Sequence, residues 1–175
     1  LMMGLPIDIN LISVPQGYNS PYSQNSFHSK DLVKTDNSGK GVEGITAQVS
    51  IPQYLPLFGS PAMSNLIINV KVSENCCAYP LTFIAIMAHE LSHILLEALR
   101  YSKKNNEICV DLTAMMIGFS EIIQTGRKVV EETQTANTIH TRTTTYGYLT
   151  DSHFFFAQKK IDHLLGGYKQ RKRKL

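Results

Sequence analysis

Tryptophan is absent from this chain, cysteine is scarce, and charged residues are few. Each shortage excludes something. Three cysteines in 175 residues, two of them the adjacent Cys76 and Cys77, do not make a disulfide framework. They fit a reducing cytoplasm better than an oxidising compartment. No uninterrupted apolar run reaches the ~18 residues that span a bilayer, and the first residues lack the basic segment and apolar core of a signal peptide. The formal net charge is only +3, so no broad basic face marks a nucleic-acid partner. Much of the excess gathers in Lys169-Gln170-Arg171-Lys172-Arg173-Lys174. No aromatic residues interleave that run, which reads as a solvated tail or the start of a longer charged helix rather than a nucleic-acid or membrane contact.

What is present fits one domain with a sizeable core. Residues 1–41 are rich in Asn, Ser, Gly and Pro, a loop-rich segment with one short strand over 7–14. The main body spans 42–168, and 169–175 form the basic tail. Residues 45–51 and 66–72 alternate in the strand manner, the second with Asn69 and Lys71 on its polar face. Pro80 then opens a long apolar helix running to about Tyr101. A second helix is capped at Asn105 or Asn106 and closes at Gly126. The Thr-rich stretch 128–146 folds either as a hairpin about Ala136-Asn137 or as a lid-like loop. A third helix starts near Asp151 and is expected to stop at Gly166-Gly167.

The most informative stretch is His89-Glu90-Leu91-Ser92-His93, an H-E-x-x-H pattern near the middle of the first helix. Residues four apart share a helix face, so both imidazoles can aim at one point. A divalent metal at that point accepts nitrogen donors at roughly 2.0–2.1 Å. Glu90 lies about a third of a turn round the helix, near enough to take a proton from metal-activated water.

Two histidines do not complete a catalytic zinc site, which uses three protein ligands and leaves a position for water. A metzincin would place Gly and His at the third and sixth positions after His93; Leu96 and Leu99 stand there instead. The alternative takes a carboxylate from the next helix, which opens Asn106-Glu107-Ile108-Cys109-Val110-Asp111. Glu107 and Asp111 share a face one turn apart. With the helices antiparallel, Glu107 reaches the metal while Asp111 accepts an N–H from a ligand histidine and fixes its tautomer. The reverse assignment, Asp111 on the metal and Glu107 favouring the helix N-terminus, stands beside it. Glu97 lies more than a turn beyond the two histidines and reads as a surface residue. Gly118 would let the two helices approach closely.

The H-E-L-S-H helix followed by N-E-x-x-x-D resembles the active-site pair of gluzincin metallopeptidases, the thermolysin-like group, over about residues 64–120. The resemblance implies Zn2+ on His89, His93 and Glu107, Glu90 as general base, Asp111 behind a ligand histidine, and a peptide or protein substrate. It also implies that the strand over 66–72 is the edge along which an extended peptide aligns. The chain departs from thermolysin in a shorter connection between the helices and in showing no recognisable partner domain after the site. Residues 41–165 resemble more closely small uncharacterised bacterial H-E-x-x-H proteins with a Gly-Tyr-Leu near a third helix, here Gly147-Tyr148-Leu149. The fold expected on this reading is α+β and zincin-like: a small, mostly antiparallel sheet packed on the active-site helix, with two further helices.

His140, His153, Tyr146 and Tyr148 are each candidates to steady an oxyanion, although any one of them reads more readily as structural. Tyr148 leads because it sits where the Thr-rich segment returns to the body. His28 reads as a solvated loop histidine and Cys109 as buried packing. Phe154-Phe155-Phe156, Ile161, Leu164 and Leu165 read as core. Two other functions compete. A non-catalytic zinc-bearing interaction module would close its site with a fourth protein ligand and has no use for Glu90. A nucleic-acid binder working through residues 169–175 would show strongly salt-dependent affinity.

Overall fold

A computed structural model describes residues 7–15, 26–28, 47–52, 54–57, 59–74, 78–136 and 138–172. Strands β1 (Asp8–Val14), β2 (Ser26–His28), β3 (Ala47–Pro52) and β4 (Ile67–Ser73) form one sheet in the order β1-β4-β3-β2. β1 pairs with β4 in parallel; the other two pairings are antiparallel. The alternation read from the sequence sets the faces. Ala47, Val49 and Ile51 of β3 and Ile68, Val70 and Val72 of β4 are buried, while Asn69 is exposed. On the exposed face Asn10 donates to Asn69 across the β1–β4 pair at 3.0 Å.

Helix α1 (Pro80–Ala98) has Pro80 at its first turn, where a missing N–H costs nothing. It brings Ile86, Ile94 and Ala98 into one core with Val49, Met63, Ile68 and Val70 of the sheet side. The helix ends before Tyr101 because Arg100 turns left-handed (φ 52°). There Arg100 N–H donates to the Glu97 carbonyl at 2.9 Å and Tyr101 N–H to that of Leu96 at 3.0 Å. This is a Schellman closure with arginine where glycine is usual.

The second helix is not continuous. α2 (Glu107–Ala114) is capped by Asn106, whose side chain accepts from Cys109 N–H at 3.2 Å. A π-helical turn over Met115–Phe119 follows, with Gly118 at φ 111°, and α3 (Ser120–Gly126) resumes. Gly118 therefore makes a kink rather than a close contact: a methyl group there would meet nothing within 4 Å. Close approach falls instead to Gly126, where an added Cβ would sit 2.3 Å from the Leu81 carbonyl oxygen of α1. Thr82 seals that crossing by donating to the Gly126 carbonyl at 2.8 Å.

The Thr-rich stretch is a hairpin, β5 (Lys128–Thr135) with β6 (Thr138–Thr145). Tyr79, just ahead of α1, fastens it by donating to Glu131 at 2.6 Å. α4 (Asp151–Lys172) packs Phe154, Ala157 and Ile161 on Met115 and Leu149. It runs through Gly166-Gly167, so the glycine pair does not end it and the first basic residues of the tail are helical. Phe155, Phe156, Leu164 and Leu165 are exposed, not core.

The whole is mixed α and β with small sheets. By length and composition alone, Pro80–Ala98 and Glu107–Gly126 could each cross a membrane, an outcome that counting uninterrupted apolar residues does not anticipate. Most of α1 is buried against the rest of the protein. His28 lies on β2, and its side chain lies outside the described residues, as do Cys76, Cys77, residues 45 and 46, and the glycine- and proline-rich turns at 18–22 and 36–39.

Candidate metal centre

α1 and α2 meet so that the H-E-x-x-H face looks onto the first turn of α2. His89 and His93 are both buried, with ring centroids 4.9 Å apart and edge to face. Their Nε2 atoms converge to 3.2 Å. Glu107 Oε2 lies 3.3 Å from His89 Nε2 and 3.2 Å from His93 Nε2. Three donor atoms thus form a nearly equilateral triangle. A tetrahedral ion with ligands at about 2.0–2.1 Å holds them roughly 3.3–3.4 Å apart, so this triangle fits one such ion. Buried Glu107 Oε2 makes no well-formed hydrogen bond, so its place between two imidazoles rests on charge attraction, which a shared cation would satisfy. Among the described residues, this trio is the group able to hold a metal ion.

Asp111, one turn further along α2, stands behind His89. Its Oδ1 lies 2.8 Å from His89 Nδ1, and its Oδ2 accepts from Tyr148 N–H at 2.7 Å and Leu149 N–H at 3.2 Å. Such a carboxylate holds the ring with Nδ1 protonated and Nε2 turned toward the trio. Gly147 takes φ 95°, and a Cβ there would lie 3.3 Å from Asp111 Oδ2. Glycine lets the segment turn two successive amides onto one carboxylate oxygen. The Gly-Tyr-Leu triplet is therefore a clamp on Asp111. Tyr148 adds its ring, stacked on His89 at 5.8 Å and 22°.

Burial pulls the His89 imidazole down, but the Asp111 carboxylate on Nδ1, the Glu107 carboxylate beside Nε2 and the nearby Glu90 charge outweigh it and raise the pKa from 6.5 to about 10. Burial pushes the Glu107 carboxyl up, and the two histidines beside it outweigh that, bringing it from 4.5 to about 2.

Glu90 is wholly buried, and its Oε2 accepts from Val49 N–H at 3.2 Å. Among the described residues β2 pairs with Ser50–Pro52 of β3, next to Val49. The sheet order corrects the edge-strand expectation. β4 lies between β1 and β3 and is no edge; the strand beside Glu90 is β3.

The other sequence candidates fall elsewhere. Glu97 is partly buried, pairs with Lys104 at 2.7 Å rather than lying free at the surface, and is not one of the metal-holding trio. His140 is exposed on β6 with Nε2 3.2 Å from Thr138 Oγ1, and His153 is exposed on the first turn of α4. Tyr146 is buried in the core, and Cys109 is half-buried. Sequence reasoning missed the Val49 amide and the work of Gly147. Only the positive-φ preference of a glycine in Tyr146-Gly147-Tyr148 hinted at the latter. No family model, curated protein or solved structure matches the chain.

Proposed function

We propose that this protein is a zinc-dependent peptidase of gluzincin type, acting on peptide or protein substrates. The observation that carries the reading is the triangle of His89 Nε2, His93 Nε2 and Glu107 Oε2 at 3.2–3.3 Å, with Asp111 behind His89 and Glu90 on the same helix. Two imidazoles and one carboxylate are the donor set of a catalytic zinc site that keeps one position open. Bound there, zinc polarises a carbonyl and lowers the pKa of water toward ~7.

The residues supply the rest. Glu90 takes a proton from the attacking water and returns it to the leaving amine nitrogen. The Val49 amide fixes one carboxylate oxygen of Glu90, which limits its rotation. Asp111 keeps His89 Nδ1 protonated, so Nε2 is the donor. Tyr148, packed on His89, is the group assigned to steady the carbonyl oxygen as it gains charge.

The deciding experiment is Glu90→Gln. The variant should retain about one equivalent of zinc and lose hydrolysis of a mixed peptide library by at least ~100-fold. Undiminished hydrolysis would sink the assignment. Zinc retained with no hydrolysis even by the wild-type chain would favour the zinc-bearing interaction module.

A further inference from the structure

Arg127 is a buried arginine with little to gain from burial. It is 5% exposed and sits between α3 and β5, and its guanidinium lies 5.0 Å over the Phe154 ring. Its Nε and Nη1 have no hydrogen-bond partner, and the Asp151 carboxylate is 3.8 Å from Nη2. Nη2 donates to the Leu149 carbonyl, while the Arg127 carbonyl accepts from Tyr146 N–H at 2.7 Å. One residue thus holds both ends of the four-residue segment whose middle amides, Tyr148 N–H and Leu149 N–H, grip Asp111 Oδ2. Arg127, Asp111, Gly147 and His89 also border one cavity of about 20 Å³, room for a single water-sized group.

A buried guanidinium with one hydrogen bond and a distant, half-exposed carboxylate contributes little to the fold. Apolar replacement of a whole buried pair is often neutral or stabilising, and Asp151, exposed and paired with Lys128 at 2.5 Å, keeps a counter-charge when Arg127 alone is replaced. What Arg127 does uniquely is set the span of the 146–149 segment. We propose that Arg127 is a positioning residue of the metal centre: by holding both ends of residues 146–149 it fixes the two amides that seat Asp111 behind His89. The inference rests on the metal-centre reading and not on peptidase activity. Its reach is three contacts long: guanidinium to Leu149, backbone amides to Asp111, Asp111 to the ligand imidazole. Loosening the first link lets Asp111 rotate and weakens the orientation of His89 Nε2.

Zinc and cobalt(II) affinities, measured by chelator competition on the full chain, test this. Arg127→Met should weaken both by about tenfold, the low end for groups behind a metal ligand, while the metal-free Tm stays within a few degrees. The visible cobalt(II) spectrum should lose intensity or shift, which mere loss of packing would not cause. Arg127→Lys, which keeps a donor for Leu149, should recover part of the affinity. Should Arg127→Met not fold, Arg127→Gln, too short to span to Leu149, decides by the same readouts. Wild-type affinity and spectrum in the folded variant, with Asp111→Asn weakened, would overturn the proposal and leave the centre intact. Collapse of both variants would overturn it too, by making Arg127 a determinant of the fold. A wild-type chain that takes up neither metal would overturn the centre itself and the inference with it.

Discussion

At the residue level the centre turns on His89, each of whose two nitrogens faces a carboxylate. Nδ1 is held by Asp111 at 2.8 Å, and Nε2 is crowded by Glu107 and His93. Without metal both nitrogens are best served as N–H donors, which is why the pKa rises to about 10 despite burial. Its contribution to folding is therefore complete below pH 6.5 and is lost as pH climbs through about 10. Glu107 has the opposite sign: its contribution is complete above pH 4.5 and lost as pH falls through about 2. Metal-free stability should accordingly peak between those limits, by denaturant titration across pH, and decline on the alkaline side. A metal competes with the Nε2 proton, so apparent affinity should keep rising about tenfold per pH unit above about pH 7. Two ordinary imidazoles would let the curve level off there. Chelator competition across that range separates the two outcomes. A plateau near neutrality would mean that His89 is already neutral in the free protein.

Elements carry these atoms into place, and their glycines do different work. Gly126 lets α3 cross α1, since a side chain there would strike the Leu81 backbone at 2.3 Å. Gly118 has open space but a φ of 111° that only glycine takes without strain. Gly126→Ala should thus destabilise by more than ~3 kcal/mol, because backbone cannot yield as a side chain can. Gly118→Ala should cost about 1–3 kcal/mol through backbone strain alone. Urea unfolding of the two variants tests the order, and equal losses would contradict the assignment of close approach to Gly126. Much of this level is legible in the sequence. Apolar alternation marks β3 and β4, Pro80 marks the start of α1, and Asn106 marks the cap of α2. The kink at Gly118 is not legible, since a glycine in a helical run looks the same whether it packs or bends. Nor is the position of β4: its neighbour β1 arrives from a loop-rich segment about sixty residues away by parallel pairing, which leaves no local mark.

Across the whole molecule, the candidate site is assembled from pieces that are local only in part. His89, Glu90 and His93 are one motif, and Glu107 with Asp111 one turn of a helix; both are visible because helical spacing converts directly into shared faces. Val49 and residues 146–149 reach the same place only because the sheet and the hairpin bring them there. The local sequence of Val49 does not announce it, and that of residues 146–149 points only to Tyr148 and the Gly-Tyr-Leu triplet, not to their grip on Asp111. The consequence is that a metal bound to the trio ties more than two helices. His89 and His93 belong to α1, Glu107 to α2, and His89 connects through Asp111 to the segment joining β6 to α4. An ion that binds the folded chain and not the unfolded one at a hundred times its Kd adds about 2.7 kcal/mol. For a chain of this size that amounts to a rise of roughly 5–10 °C in Tm. Zinc should produce that rise and a chelator should reverse it, by calorimetry. Hydrogen exchange should slow most at α2 and at Tyr148 and Leu149, and least on β1, which lies at the far edge of the sheet from β3. His93→Ala removes one of three donors and should abolish both effects. A rise in Tm that survives His93→Ala would place the ion somewhere other than between α1 and α2.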